Sequence, residues 1–69
     1  MDNNLKFEIA RDVITQMIAY ATKDGFNPED PITARLLQEE EQVNQFNEEV
    51  IERVITDYLP FIKNGGLHE

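Results

Sequence analysis

The chain contains no cysteine and no serine, and it has a single histidine. Without cysteine, disulfide bonds and thiolate metal sites are excluded. The histidine, His68, follows Gly65 and Gly66 near the end of the chain, where nothing rigid would hold a general base or a metal ligand in place. We therefore predict that the protein is not an enzyme, and we predict no catalytic residue, no cofactor and no metal.

Motifs for hard cations and phosphates are also missing. A calcium loop beginning at Asp24 would place Phe26 and Pro28 at positions that require oxygen ligands. The three glycines, with the lysines near them, do not form a phosphate-binding loop. We therefore expect no small-molecule substrate.

Long apolar runs and basic residues are both scarce. No apolar run approaches the roughly 18 residues that a membrane span requires. The first residues, Met1 to Asn4, lack the basic start and apolar core of a secretion signal. Six Lys and Arg residues against fourteen Asp and Glu give a formal charge of −8, which disfavours direct binding to nucleic acid. These features predict a cytoplasmic protein with neither a membrane nor a nucleic-acid partner.

The acidic excess is concentrated after the first third of the chain. The stretch from Asp24 to Asp57 holds ten acids, and its only bases are Arg35 and Arg53. The simpler interpretation is solubility, and the alternative is attraction to a basic partner, including mimicry of DNA. The side chains predicted to form this acidic surface are Glu39, Glu40, Glu41, Glu48, Glu49 and Glu52.

The spacing of the apolar residues predicts an all-α fold. Hydrophobic residues make up 41% of the 69 residues and recur in steps of three and four. We predict a small bundle of two to three helices, over about 4–23, 31–44 and 47–59, within a single domain, 1–64, and a flexible tail, 65–69. The apolar face of the first helix is wider than one neighbouring helix would cover, which indicates contact with two elements of the same chain or with another chain. We also expect a homodimer.

The connection after the first helix carries strong local signals. Gly25 is placed to adopt a positive φ at the helix end, and Phe26 is expected to turn back onto the core. Asp30 is a suitable N-cap, and Pro31 suits the first position of a helix because that position needs no N–H donor.

The second half of the chain allows two interpretations. One helix from about Pro31 to Leu59 is possible, because neither Gly nor Pro interrupts it. A break near residues 44–47, with Asn47 capping a third helix, is preferred because three helices close a core within one chain. Pro60 is expected to end or kink the last helix.

Large apolar side chains are numerous for so small a core, and exposed apolar patches commonly mark association. We predict a protein-interaction module, an adaptor, an inhibitor or an antitoxin-like regulator, that binds a protein partner or a second copy of itself. The alternatives are a DNA-mimic inhibitor and a purely structural homo-oligomer. The residues predicted to bind the partner are Phe7, Met17, Tyr20, Tyr58, Phe61 and Ile62.

The order of a helix, Asp24-Gly25, a proline-containing loop and a helix is similar to the short antitoxins that inhibit Fic-type adenylyltransferases. Those antitoxins carry Ser or Thr four residues before an acid followed by Gly or Asn. Tyr20 occupies that position here. The residue that defines the motif is therefore replaced, and the chain is not assigned to that family.

Overall fold

Three helices make up the part of the protein that the structure describes. A computed structural model describes residues 3–63, with α1 at Asn3–Ala21, α2 at Pro31–Asn44 and α3 at Glu48–Lys63. Each helix contacts the other two, and this part of the chain contains no strand. The all-α prediction is confirmed, and α2 and α3 are separate helices, as the preferred interpretation required. The predicted tail, 65–69, lies outside the described residues.

The helices run up, down and up. Lys6, near the start of α1, meets Glu52, near the start of α3, while Tyr20 and Phe61 meet at the opposite ends of the same helices. Helices α1 and α3 are therefore parallel, and α2 returns between their ends. Across residues 3–63, no helix combines the length and the apolar character that crossing a membrane would require.

The core consists of aliphatic side chains from all three helices. Ile14 of α1, Val43 of α2 and Val54 of α3 have no exposed surface. Among residues 3–63, no aromatic side chain is fully buried. The complete set of buried apolar residues in this range is Ala10, Val13, Ile14, Leu36, Val43, Val50, Ile51, Val54 and Ile62.

The loop between α1 and α2 ends as its sequence predicts, but its centre differs from the prediction. The Asp30 carboxylate accepts a hydrogen bond from the Thr33 N–H at 3.0 Å, so Asp30 is the N-cap of α2. Gly25 has the expected positive φ, at 133°. The expectation that Phe26 packs on the core is wrong, because its side chain is 63% exposed. The loop is held by its own backbone hydrogen bonds, such as Gly25 N–H to Thr22 O at 2.9 Å, without an apolar anchor.

The junction between α2 and α3 is closed by a pair of backbone hydrogen bonds that are typical of helix C-termini. The Phe46 N–H donates to Val43 O at 2.9 Å, and the Asn47 N–H donates to Gln42 O at 3.1 Å. Phe46 has a φ of 60°, in the left-handed region that glycine normally occupies in this motif. The Asn47 side chain then accepts from the Val50 N–H at 3.3 Å, which confirms the predicted cap of the third helix.

Helix α3 continues past Pro60 to Lys63. The predicted end at Leu59 is therefore wrong. The extra turn brings Ile62 into the core, where it is 8% exposed, and places Phe61 against Tyr20. Burial of Ile62 favours continuation because it offsets the backbone hydrogen bond that a proline cannot make.

Candidate protein-interaction surfaces

The exposed apolar surface of the described residues is largely aromatic. Three of the four phenylalanines are exposed: Phe26 at 63%, Phe46 at 58% and Phe61 at 40%. Tyr20 is also exposed, at 38%. The exposed large aliphatic side chains in this range are Leu5 and Ile32. The aromatic side chains of this protein therefore lie around an aliphatic core instead of forming it.

Tyr20 and Phe61, called here the Tyr20–Phe61 pair, meet where α1 and α3 end. Their ring centroids are 5.9 Å apart, and the rings meet edge to face at 67°. The Lys23 ammonium lies 4.8 Å from the centroid of the Tyr20 ring, within the range of a cation–π contact. An exposed aromatic pair is thus presented with a positive charge beside it.

Phe7 and Phe46, called the Phe7–Phe46 stack, lie near the opposite end of the bundle. Their centroids are 4.3 Å apart, and the ring planes are inclined by 23°, so the rings are stacked. The guanidinium carbon of Arg11 is 5.5 Å from the centroid of the Phe7 ring. Phe7 is half-buried, whereas most of Phe46 faces solvent.

An open cavity of about 150 Å³ adjoins the Phe46 ring. The first turns of α1 and α3 form its sides, and across it the Lys6 ammonium pairs with the Glu52 carboxylate at 3.0 Å. The lining residues are Asn3, Lys6, Phe46, Glu48, Ile51 and Glu52. An aromatic face, an apolar side chain and carboxylates therefore border one cavity.

Glu39 does not belong to the acidic surface. It is 6% exposed, and its carboxylate accepts a hydrogen bond of 2.6 Å from the Tyr58 hydroxyl. The Nε atoms of Arg35 and Arg53 lie 3.8 and 3.9 Å from Glu39 Oε2. Consecutive glutamates on a helix point in different directions, and this one points at α3. Pairing with these groups allows a carboxylate to be buried, so the surface prediction is wrong for Glu39.

Tyr58 is held inside this network. Burial of its ring, followed by the hydrogen bond to Glu39, raises the pKa of the Tyr58 hydroxyl to about 12. The half-buried hydroxyl is committed to an internal carboxylate. Tyr58 therefore has a defined contact within the bundle, beside any contact it makes with a partner.

The other predicted partner-binding residues divide into three groups. Tyr20 and Phe61 are exposed and touch each other. Phe7 and Met17 are half-buried against the core. Ile62 is buried and is not available on the surface of the isolated chain, because the turn after Pro60 directs it inward. Among the predicted acids, Glu41, Glu48, Glu49 and Glu52 are exposed and Glu40 is half-buried.

Phe46 was not among the residues predicted to bind a partner. Its spacing from Val43 and Val50 matches one helical face, yet its backbone is left-handed and the residue is 58% exposed. Asn47 was the available signal, because a cap at that position implies a helix end just before it.

Within residues 3–63, the exposed aromatic side chains and the cavity beside Phe46 are candidates for contact with another molecule. Within residues 3–63, no group of three His, Asp or Glu side chains is placed to hold a metal ion. Comparison with known proteins gives no match, whether to protein-family models, to curated proteins or to solved structures.

Proposed function

We propose that this protein is a small acidic interaction module that binds a protein partner and acts as an adaptor, an inhibitor or an antitoxin-like regulator. The observation that carries the proposal is the separation of an aliphatic core from exposed aromatic side chains. Phe26, Phe46 and Phe61 are all at least 40% exposed, whereas the buried apolar residues of the described chain are all aliphatic. The cytoplasm remains the compartment predicted from the sequence.

The energetics of aromatic side chains support this proposal. Burying a phenylalanine side chain contributes roughly 1.5–3 kcal/mol relative to leaving it exposed. The isolated chain forgoes much of this contribution at three positions, and a complex would recover it. Aromatic residues are also enriched at the centres of protein interfaces, where few side chains carry most of the binding free energy.

Charge supports a partner with a basic surface. The formal charge is −8, and Glu41, Glu48, Glu49 and Glu52 are all exposed. Complementary charge raises the rate of association and makes it depend on salt. A protein that mimics DNA would bind such a basic surface. In that case we expect the affinity for the partner to fall steeply as the salt concentration rises.

The proposal can be tested by quantitative capture from the native host. The bait is the full chain, and the test variant is the double substitution Tyr20→Ala/Phe61→Ala. Gln16→Ala, which changes an exposed polar residue of α1, serves as the control. We expect a partner that the wild-type and control chains capture equally and that the double variant loses. Equal capture of all proteins by the three baits would contradict a role for this pair.

A second copy of the chain is the other partner to test. Sedimentation velocity of the isolated chain measures it directly. A dimer that becomes monomeric in the Tyr20→Ala/Phe61→Ala variant would assign the pair to a homodimer interface. A monomer at all concentrations would remove the homodimer and leave a different protein as the partner.

A further inference from the structure

We propose that the cavity beside Phe46 binds the side chain of an arginine from the protein partner. The proposal rests on the proposed function, since it names the chemical group that one part of the interface would recognise. Four observations carry it: a strained backbone, an open aromatic face, an unpaired carboxylate and the size of the cavity.

The backbone at Phe46 is held in a conformation that an aromatic residue rarely adopts. Its φ is 60°, and the hydrogen bonds around it form the helix ending in which glycine is the usual residue. Glycine would remove the strain, and the local geometry would accept it. A strained residue persists when the surrounding structure imposes it, and such residues concentrate at binding sites. This backbone conformation directs the Phe46 ring away from the core and against the Phe7 ring.

The Phe46 ring has room for a further planar group. Its contact with Phe7 at 4.3 Å occupies one face, while the side chain remains 58% exposed. Because Phe46 also lines the open cavity, part of its exposed surface faces that space. A guanidinium already lies near the Phe7 ring of the same stack, because Arg11 is 5.5 Å from its centroid. The stack is thus suited to a second guanidinium on its open side.

The charges around the cavity favour a cation. Lys6 and Glu52 form an ion pair at 3.0 Å and neutralise each other. Glu48 lies one helical turn before Glu52, is exposed, and makes no ion pair within residues 3–63. The lining side chains therefore carry one uncompensated negative charge. A bound cation would compensate that charge and reduce the repulsion between the two glutamates.

Arginine fits this combination better than lysine or a neutral ring. Its guanidinium is planar, stacks on aromatic faces and offers a fork of N–H donors to a carboxylate. Lysine has a compact charge and no planar face, and a neutral ring would leave Glu48 uncompensated. The volume of about 150 Å³ is close to that of protein cavities known to admit one small planar molecule.

The test is an NMR titration of the full isotopically labelled chain with N-acetyl-arginine amide. The matched probe is N-acetyl-citrulline amide, which has nearly the same shape and no charge. With the arginine probe we expect saturable shifts in the millimolar range at the amides of Lys6, Phe46, Glu48 and Glu52. We expect much smaller shifts with citrulline.

Three variants distinguish this cavity from the general acidity of the chain. Phe46→Gly removes the aromatic face at a φ that glycine accepts, and a retained unfolding midpoint would confirm that its fold is intact. We expect it to weaken binding at least tenfold. Glu48→Gln should weaken binding severalfold, whereas Glu49→Gln, which changes an exposed acid outside the cavity, should leave binding unchanged.

The proposal is overturned if citrulline binds as well as arginine, if folded Phe46→Gly binds as the wild type does, or if no saturable shift is observed. Equal weakening by Glu48→Gln and Glu49→Gln would also overturn it, because binding would then reflect overall charge. The probes require no partner protein. Their failure would therefore leave partner binding through the Tyr20–Phe61 pair standing, to be decided by the capture experiment.

Discussion

At the scale of single residues, Glu39 shows how neighbouring groups determine the role of a side chain. Its carboxylate is enclosed by groups from both α2 and α3, and it accepts the Tyr58 hydroxyl at 2.6 Å. Arg35 and Arg53 are largely exposed and lie almost 4 Å away, so each contributes little through charge alone. The hydrogen bond between Tyr58 and Glu39 is therefore the main stabilising contact of this network.

A double-mutant cycle on Glu39 and Tyr58 tests this assignment. We expect Glu39→Ala to lower the free energy of unfolding by about 2–3 kcal/mol, because it leaves a half-buried hydroxyl without its acceptor. The coupling between Glu39→Ala and Tyr58→Phe should be about 1.5–3 kcal/mol, as for hydrogen bonds to charged groups. Urea unfolding followed by circular dichroism measures both quantities. Glu41→Ala, which changes an exposed acid of the same helix, is the control, with an expected change below about 0.5 kcal/mol.

The raised pKa of Tyr58 predicts a loss of stability in alkali. In the unfolded chain the hydroxyl ionises near its usual value of 10, whereas in the folded chain its pKa is about 12. Below pH 10 both states are protonated, and the contribution to stability is fully present. As the pH rises from 10 to about 12, the unfolded state loses its proton first, so the free energy of unfolding should fall. Tyr58→Phe should remove the part of this decrease in the free energy of unfolding that comes from Tyr58. If the variant shows the same dependence of stability on pH as the wild type, the assignment is contradicted.

At the scale of the elements, the helix ends divide into those set by local chemistry and those set by packing. Asp30, Pro31 and Asn47 act as their sequence neighbourhoods predict, because capping involves groups only three residues apart. Pro60 does not end α3. Burial of Ile62 in the core outweighs the free-energy cost of placing a proline inside the helix. Local signals contain no information about that burial.

Pro60→Ala tests whether packing sustains the last turn of α3. Alanine restores a backbone N–H that can donate to Thr56 O, and it removes the ring that crowds the preceding turn. We expect the free energy of unfolding to rise by about 1–3 kcal/mol, measured by urea or thermal unfolding. A decrease would show that a bend imposed by proline is needed to bring Ile62 into the core.

At the scale of the whole molecule, we propose that the residues that stabilise the bundle are separate from those that bind a partner. Val54 has no exposed surface, whereas Phe61 is 40% exposed and touches Tyr20 at the edge of the bundle. The aliphatic core stabilises the fold, and under the proposed function the exposed aromatic side chains contact the partner.

Two substitutions test this separation. We expect Val54→Asp to unfold the chain, because it places an unpaired charge in the centre of the core. Phe61→Ala should lower the free energy of unfolding by less than the roughly 3–5 kcal/mol lost when a fully buried phenylalanine is truncated, because Phe61 is 40% exposed, while it weakens association. Circular dichroism with thermal melting measures stability, and sedimentation measures association. If Phe61→Ala unfolds the chain as Val54→Asp does, Phe61 is part of the core and the separation is wrong.

The amino-acid sequence alone predicts the helical class, the position of the loop after α1 and the caps at Asp30 and Asn47, and its composition gives the formal charge of −8. These properties depend on spacing and on groups close together along the chain. Packing of the three helices buries Glu39 and Ile62, leaves Phe26 and Phe46 exposed, and brings Phe46 and Glu48 to the same cavity. Those outcomes depend on which helix faces meet. Residues such as Glu39 and Tyr58, or Phe7 and Phe46, become neighbours only when the helices pack, and no local pattern specifies that pairing.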